Sequence, residues 1–401
     1  MMAAWIAWAF PSWSREGPAM TSRPQAHVLA AGRVIAPRGD LIPGVVRIAG
    51  DRIVEVRWGV ARSADLVAPE GILAPGLIDL QVNGAAGVDF LSVGNGTDLE
   101  GVRRYLLSTG VTAFLPTLIS APLHRLRAAL TWWRRATAIV EAPRILGVHV
   151  EGPFLNPEFR GAHDPRHLHP PDDRLAALLD EVPGLVRMAT LAPELPQAGR
   201  VIKALRERGC VVSAGHTAAT YQQALEAFAR GVRVVTHLFN GMRGLHHREP
   251  GIAVAALLHP GITVGLIADL VHVHPAVIRL TVRLKGWRRV ALVTDAMAAA
   301  GLRRRTARLG GARVRITDAP RLADGTLAGS VLSLDQAVRN LVSLGVPVRQ
   351  AVLMASAVPA RVLGRRDLGR IAPGARADLV LFDRALRVAA VFVGGRRVYG
   401  D

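Results

Sequence analysis

Eight apolar runs of strand length recur through the middle of this chain, at Leu77–Leu80, Val111–Thr117, Ile145–Val150, Val186–Leu191, Val211–Ala214, Val232–Thr236, Ile262–Ala268 and Val290–Thr294. They are apolar nearly throughout rather than at alternate positions, the mark of strands buried on both faces. Helical patterns lie between most of them, at Leu99–Ser108, Leu123–Ile139, Leu195–Arg208, Tyr221–Ala229 and Pro275–Leu284, whereas Asn156–Pro171 reads as loop. Eight such units predict an α/β fold, a (β/α)8 TIM-like barrel. An open doubly wound sheet is the alternative. It needs a phosphate-binding glycine turn after its first strand, and Gly84–Gly87 matches that motif too loosely.

The ends of the chain are patterned differently. Val28–Ile35, Val45–Ile48 and Arg52–Arg57 alternate apolar and polar residues, with Ala49-Gly50-Asp51 as a hairpin turn. Ala377–Phe382, Val388–Val393 and Arg396–Tyr399 repeat this style. If the termini meet, the two ends form one small sheet domain. The N-terminal MMAAWIAWAFPSW is apolar but lacks the basic start of a secretory signal, and Met20 begins a more ordinary N-terminus. Residues 1–24 are expected to be an extension outside the fold. No apolar run approaches the ~20 residues that a membrane span needs.

The reactive side chains fall at one kind of place. Gln81 and Asn83 follow the first apolar run, Glu151 the third, His216 the fifth, His237 the sixth, His272 the seventh and Asp295 the eighth. Each sits at the C-terminal end of a strand, the rim where barrel enzymes keep their chemistry. A lone histidine or carboxylate at a strand end is usually a structural group or a cap. Two histidines and a glutamate on one rim reverse that expectation, because two imidazoles and one carboxylate make three metal ligands and leave a place for water. Asp295 would then take and return the proton. His149, two residues before Glu151, is expected to support it from the barrel interior. His163, on the loop after Glu151, reads either as a loop histidine or as a donor to a substrate carbonyl. His167 and His169 read as surface residues. His246-His247-Arg248, with His272, offers cationic groups near the same rim, as a phosphate requires.

Composition narrows the function classes. The formal net charge is +19, but the arginines are spread over helical stretches such as Arg125–Arg135 and Arg279–Arg289, with no aromatic platform among them. Neither a nucleic acid nor a membrane is expected as a partner. The positive field suits capture of an anionic substrate. The single cysteine, Cys210, excludes an internal disulfide framework and suits a reducing compartment, here expected to be the cytoplasm.

The segments PGLIDLQVNG, HVEGPFLNPEFRGAHDP, SAGHTAAT, THLFNGM with REPG shortly after, IADLVHV, LVTDAM and DGTLAGS run in this order from Pro75 to Ser330. The ordered set resembles the N-acetylglucosamine-6-phosphate deacetylase family of the amidohydrolase superfamily. The resemblance implies a barrel over residues 75–365, with a small β-sandwich from 25–74 and 366–401. It implies one divalent metal, most often zinc with Fe2+, Co2+ or Mn2+ as alternatives, on Glu151, His216 and His237. Asp295 would be the acid/base and His163 the partner of the acetamido carbonyl. Gln81, Ala162, Asn240, Gly241, Arg248, His272, Leu327, Ala328 and Gly329 would bind the amino sugar phosphate. A homodimer is expected, with one phosphate contact crossing between subunits.

Three departures bear on these expectations. Gln81-Val82-Asn83 stands where many amidohydrolases carry His-x-His, so a second metal site is expected to be absent. Gly241 stands where the sugar-binding loop often has alanine, and Leu270 where IADG is usual. The epimeric N-acetylgalactosamine 6-phosphate and a cyclic amide are therefore kept as alternative substrates.

Overall fold

The computed structural model describes residues 26–61, 63–94, 96–139 and 142–400, so the expected extension at 1–24 lies outside the described residues. The chain opens with strands β1 (Ala26–Ala36), β2 (Gly44–Ala49), β3 (Arg52–Trp58) and β4 (Leu66–Pro75). The next eight strands are β5 (Leu77–Val82), β6 (Val111–Ile119), β7 (Val148–Glu151), β8 (Val186–Leu191), β9 (Val211–Ala214), β10 (Val234–Val235), β11 (Thr263–Leu266) and β12 (Val290–Leu292). Each is followed by a helix: α1 (Glu100–Ser108), α2 (Leu123–Ile139), α3 (Arg174–Glu181), α4 (Ala198–Glu207), α5 (Tyr221–Arg230), α6 (Gly251–Leu258), α7 (Pro275–Lys285) and α8 (Leu334–Ser343). The chain ends in β13 (Leu379–Phe382), β14 (Val388–Val393) and β15 (Arg396–Tyr399).

Strands β5 to β12 pair in parallel in sequence order. The ring closes between β12 and β5 through Asp295 N–H to Gln81 O (2.9 Å), Asn83 N–H to Ala296 O (2.7 Å) and a single parallel bridge, Val82–Ala296. This is the expected (β/α)8 barrel. The apolar runs predicted it because β5, β6 and β7 are buried at every residue. The helices carry the complementary pattern. On α4, Ala198, Val201, Ile202 and Leu205 are buried on one stripe, with Arg200, Lys203 and Arg206 facing outward. On α5, Thr220 and Gln223 form a capping box and Gly231 ends the helix at φ 119°.

The two ends of the described chain meet, the pairing that the alternating segments permitted. One sheet runs β15-β14-β13-β4-β1-β2-β3, and β1 and β4 pair in parallel. Its last strand, β3, meets the segment that leads into β13, through Ile53 N–H to Ala375 O (2.9 Å) and an Arg52–Arg376 bridge. The sheet thus folds over a core of its own. Alternation divides its side chains between two cores: Leu73, Leu379 and Leu381 enter this small core, while Ala74, Val380 and Phe382 join the barrel core. Strand β4, which sequence patterning left unassigned, leads straight into β5. A hairpin of Thr306–Leu309 and Ala312–Ile316, also unforeseen, follows β12 and lies over the rim.

Candidate metal centre

Glu151, His216 and His237 converge at the C-terminal rim, each buried, with one ligand atom of each within 4.8 Å of the others. His237 Nε2 lies 3.0 Å from Glu151 Oε1 and 3.2 Å from His216 Nε2, and His216 Nε2 lies 3.4 Å from the same oxygen. The other ring nitrogens show which tautomer is present. His216 Nδ1 donates to Phe159 O (2.8 Å) and His237 Nδ1 donates to Asn240 O (3.0 Å). Both Nε2 atoms are therefore lone pairs when the rings are neutral, and they face each other beside a carboxylate. A cation among them removes that repulsion, and carbonyl-oriented imidazoles are the usual outer support of a metal ligand. The donor set fits a divalent metal such as zinc.

The backbone holds these residues in conformations that few side chains adopt. His216, His237 and Asp295 have φ values of 49°, 27° and 51°. Such strain survives only where the surroundings over-determine it. Glu194, at the end of β8, supplies part of that constraint: it accepts from Ala218 N–H (2.7 Å), Asn156 Nδ2 (2.9 Å) and the Thr217 hydroxyl. Sequence reasoning passed over Glu194, although it is another acid at a strand end. His149 lies in the barrel interior as expected, with Nε2 2.8 Å from Thr190 Oγ1, and burial pushes it down to about 4.

Asp295 faces Glu151, His216 and His237 from across the rim. Its Oδ1 accepts from Asn83 Nδ2 (2.6 Å) and Gln81 Nε2 (3.0 Å), and Gln81 Nε2 also reaches Glu151 Oε1 (3.1 Å). Removal from water, then the Glu151 charge, pushes the Asp295 carboxyl up to about 6. That is close to the range a proton shuttle needs. His163 has its Nδ1 turned to Ser120, accepting the backbone N–H (3.2 Å), so its proton sits on Nε2, 3.8 Å from Glu151 Oε2. Burial, then the neighbouring His216, pushes it down to about 3. It is a neutral donor rather than a cation.

A cavity of about 310 Å3 opens on this cluster. Of the substrate residues expected from the sequence, Ala162, His163, Asn240, Gly241, His272, Leu327 and Gly329 line it. Gln81 and Ala328 are buried behind the lining. Arg248 is exposed and outside it, with its guanidinium 2.8 Å from His247 Nε2. His272 donates from Nδ1 to Asp269 Oδ2 (2.6 Å), which leaves its Nε2 for a ligand. Phe239, Leu309, Arg321 and Thr326 also line the cavity and were not singled out in the sequence; Phe239 and Thr326 lie within the THLFNGM and DGTLAGS segments, whereas Leu309 and Arg321 come from the hairpin and the stretch after it. His167 and His169 are partly exposed, as expected. Leu270 takes φ 69°, which explains why glycine suits its position.

Comparisons with known proteins show the family. Residues 72–398 match the model of the amidohydrolase family. The N-acetylgalactosamine-6-phosphate deacetylase of Escherichia coli O157:H7 is 38% identical over 382 residues, 92% of this chain and 98% of that one. The N-acetylglucosamine-6-phosphate deacetylase of Bos taurus is 40% identical over 346 residues, 82% of this chain and 83% of that one. The structure of N-acetyl-D-glucosamine-6-phosphate deacetylase from Mycobacterium smegmatis, an aspartate-to-alanine mutant in complex with N-acetyl-D-glucosamine-6-phosphate, superimposes with a TM-score of 0.88 at 36% identity, covering 93% of this chain and 99% of that one. The chain belongs to the amidohydrolase family and, within it, to the N-acetylglucosamine-6-phosphate deacetylase family.

Proposed function

We propose that this chain hydrolyses the acetamide of N-acetylglucosamine 6-phosphate, with water as co-substrate, to acetate and glucosamine 6-phosphate. The observation that carries the reading is the convergence of Glu151, His216 and His237 with a raised Asp295 carboxyl and a neutral His163 donor in one cavity. Glu151, His216 and His237 would hold one divalent ion, with zinc the first choice. When bound, such an ion acidifies water towards pKa ~7 and polarises a carbonyl. Asp295 takes the proton of the attacking water and passes it to the leaving nitrogen. His163 Nε2–H donates to the acetamido oxygen as charge develops there. The Gln81 amide donates to Glu151 and Asp295, and an amide is a poor metal ligand beside imidazole, so a single ion is expected.

The sugar would lie against Asn240, Gly241, Ala162, Leu327 and Gly329, with His272 towards the phosphate. Arg248 is exposed and outside its own cavity, which favours a homodimer in which it reaches the neighbour's substrate. We place the reaction in the cytoplasm. A second substrate has support of its own. The Escherichia coli relative is named for the galactosamine epimer, and its similarity extends over nearly the whole of both chains.

Acetate release from both epimeric sugar phosphates and from unphosphorylated N-acetylglucosamine, before and after chelation, tests the reading. Chelator-sensitive release from a phosphorylated sugar is expected. Asp295→Asn should keep its metal and lose turnover by two to four orders of magnitude, the range of acid/base catalysis. Turnover equal to wild type would remove Asp295 from the mechanism.

A further inference from the structure

We propose that Asp79 is a positioning residue for Asp295, holding the Thr294–Asp295 segment across the seam where the first and last barrel strands meet. The inference rests on Asp295 being the proton shuttle. Asp79 is completely buried, lines no part of the cavity and touches none of the three metal ligands, so it has no place in the chemistry itself. Its carboxylate nevertheless accepts three donors. Oδ2 takes the Thr294 hydroxyl (2.6 Å), while Oδ1 takes Thr294 N–H (3.3 Å) and Gln81 N–H (3.2 Å).

The seam needs such a clamp. Strand β12 ends at Leu292, and a single isolated β-bridge, Val82–Ala296, continues the ladder to β5 beyond it. Between Leu292 and that bridge, the chain is tied to β5 by the two Asp79–Thr294 bonds, by the longer Thr294 hydroxyl contact with Gln81 O (3.3 Å) and by Asp295 N–H to Gln81 O. Asp295 itself sits at φ 51°, a conformation that must be imposed from outside. Asp79 acts on both halves of the pair: it holds the peptide that carries the Asp295 carboxylate, and the Gln81 backbone whose amide orients that carboxylate. Burial pushes the Asp79 carboxyl up to about 7, and its three donors pull against that rise. An asparagine there offers one acceptor oxygen and turns an N–H2 group towards a donor. The resulting shift passes directly to Asp295, where misplacement by about 1 Å costs about a hundredfold in rate.

The test is a double-mutant cycle of Asp79→Asn and Asp295→Asn in the metal-loaded full chain, reading kcat, KM and metal per chain on the sugar phosphate turned over. Asp79→Asn is expected to lower kcat by about 10- to 100-fold, with KM within about threefold and metal content unchanged. In the Asp295→Asn background the same change should cost nothing further, because residues acting through one group are not additive. Thr294→Val provides the same reading if Asp79→Asn does not fold, and Thr294→Ser, which keeps the hydroxyl, should recover most of the loss. Wild-type kcat in Asp79→Asn, a full multiplicative loss in the double mutant, or loss of metal in step with activity would each overturn the positioning role. Wild-type kcat in Asp295→Asn would overturn the acid/base reading itself, and the positioning role with it.

Discussion

Replacing Gly241 by alanine tests how closely the backbone controls the metal centre. Gly241 has φ 58°, and a β-carbon built on it falls 2.8 Å from His216 Nδ1, 3.1 Å from Cε1 of the same ring and 3.2 Å from Phe159 O. A side chain in the left-handed region costs about 1 kcal/mol on its own. The ring cannot simply swing aside, because Nδ1 is bonded to Phe159 O at 2.8 Å and Gly241 O holds Thr217 N–H at 3.0 Å. The imidazole must therefore move by several tenths of an ångström, carrying Nε2 away from Glu151 and His237. Disturbing the outer support of a ligand lowers metal affinity by about 10- to 100-fold. Because the family's sugar-binding loop often has alanine here, loop and ring can adapt together around a β-carbon, and we expect the loss to stay at or below about tenfold, or about 1.4 kcal/mol. Competition with a chromophoric chelator measures the affinity, and urea unfolding of the metal-free protein isolates the backbone cost. Wild-type metal affinity alongside a loss of about 1 kcal/mol in the metal-free protein would refute the coupling between Gly241 and His216.

Three further outcomes follow from the geometry. Asp295 must be ionised to accept a proton, and its carboxyl is raised to about 6, so kcat should fall as pH drops through 6. A bound cation moves that limb down, and a limb above pH ~7 in the pH profile of kcat would contradict the assignment. Gln197, exposed at the start of α4 with φ 63° and no capping bond, should gain about 1 kcal/mol of stability on replacement by glycine, as read by urea unfolding. Trp133 is fully buried on α2, stacked edge-on with Phe90 at 5.0 Å, with its Nε1–H donating to Phe90 O. Trp133→Ala should cost about 3–5 kcal/mol, and a loss below 1 kcal/mol would show that the pocket closes over the gap.

The strained backbone at the rim fits the proposed chemistry. Three residues of the proposed chemistry have positive φ, and Gly241, which packs against His216, has it too. A strand that ends in an abrupt left-handed turn throws its next side chain inward over the barrel mouth, whereas a continued strand would carry it past the rim. The cost is spread over many bonds from neighbouring strands and loops, those of Asp79 and Glu194 among them.

By itself the sequence determined the barrel and set Glu151, His216 and His237 at strand ends, and it permitted the meeting of the chain ends without requiring it. Burial on both faces leaves its mark on every residue of a strand such as Val111–Ile119, and a reactive side chain at a strand end is visible from local pattern alone. The tertiary structure decided what depends on residues distant in the chain. Asp79 reads in sequence as one polar residue in an apolar run, and only the closing of β5 on β12 shows what it binds. Arg321 and Leu309 join the cavity because a hairpin folds back over the rim, and no periodicity encodes that direction. The tautomers of His163 and His216 were likewise set by partners that the fold brings together: a backbone N–H for the first and a carbonyl oxygen for the second. Hydrophobic pattern is a property of a segment, whereas a hydrogen bond between distant strands exists only once the ring has closed.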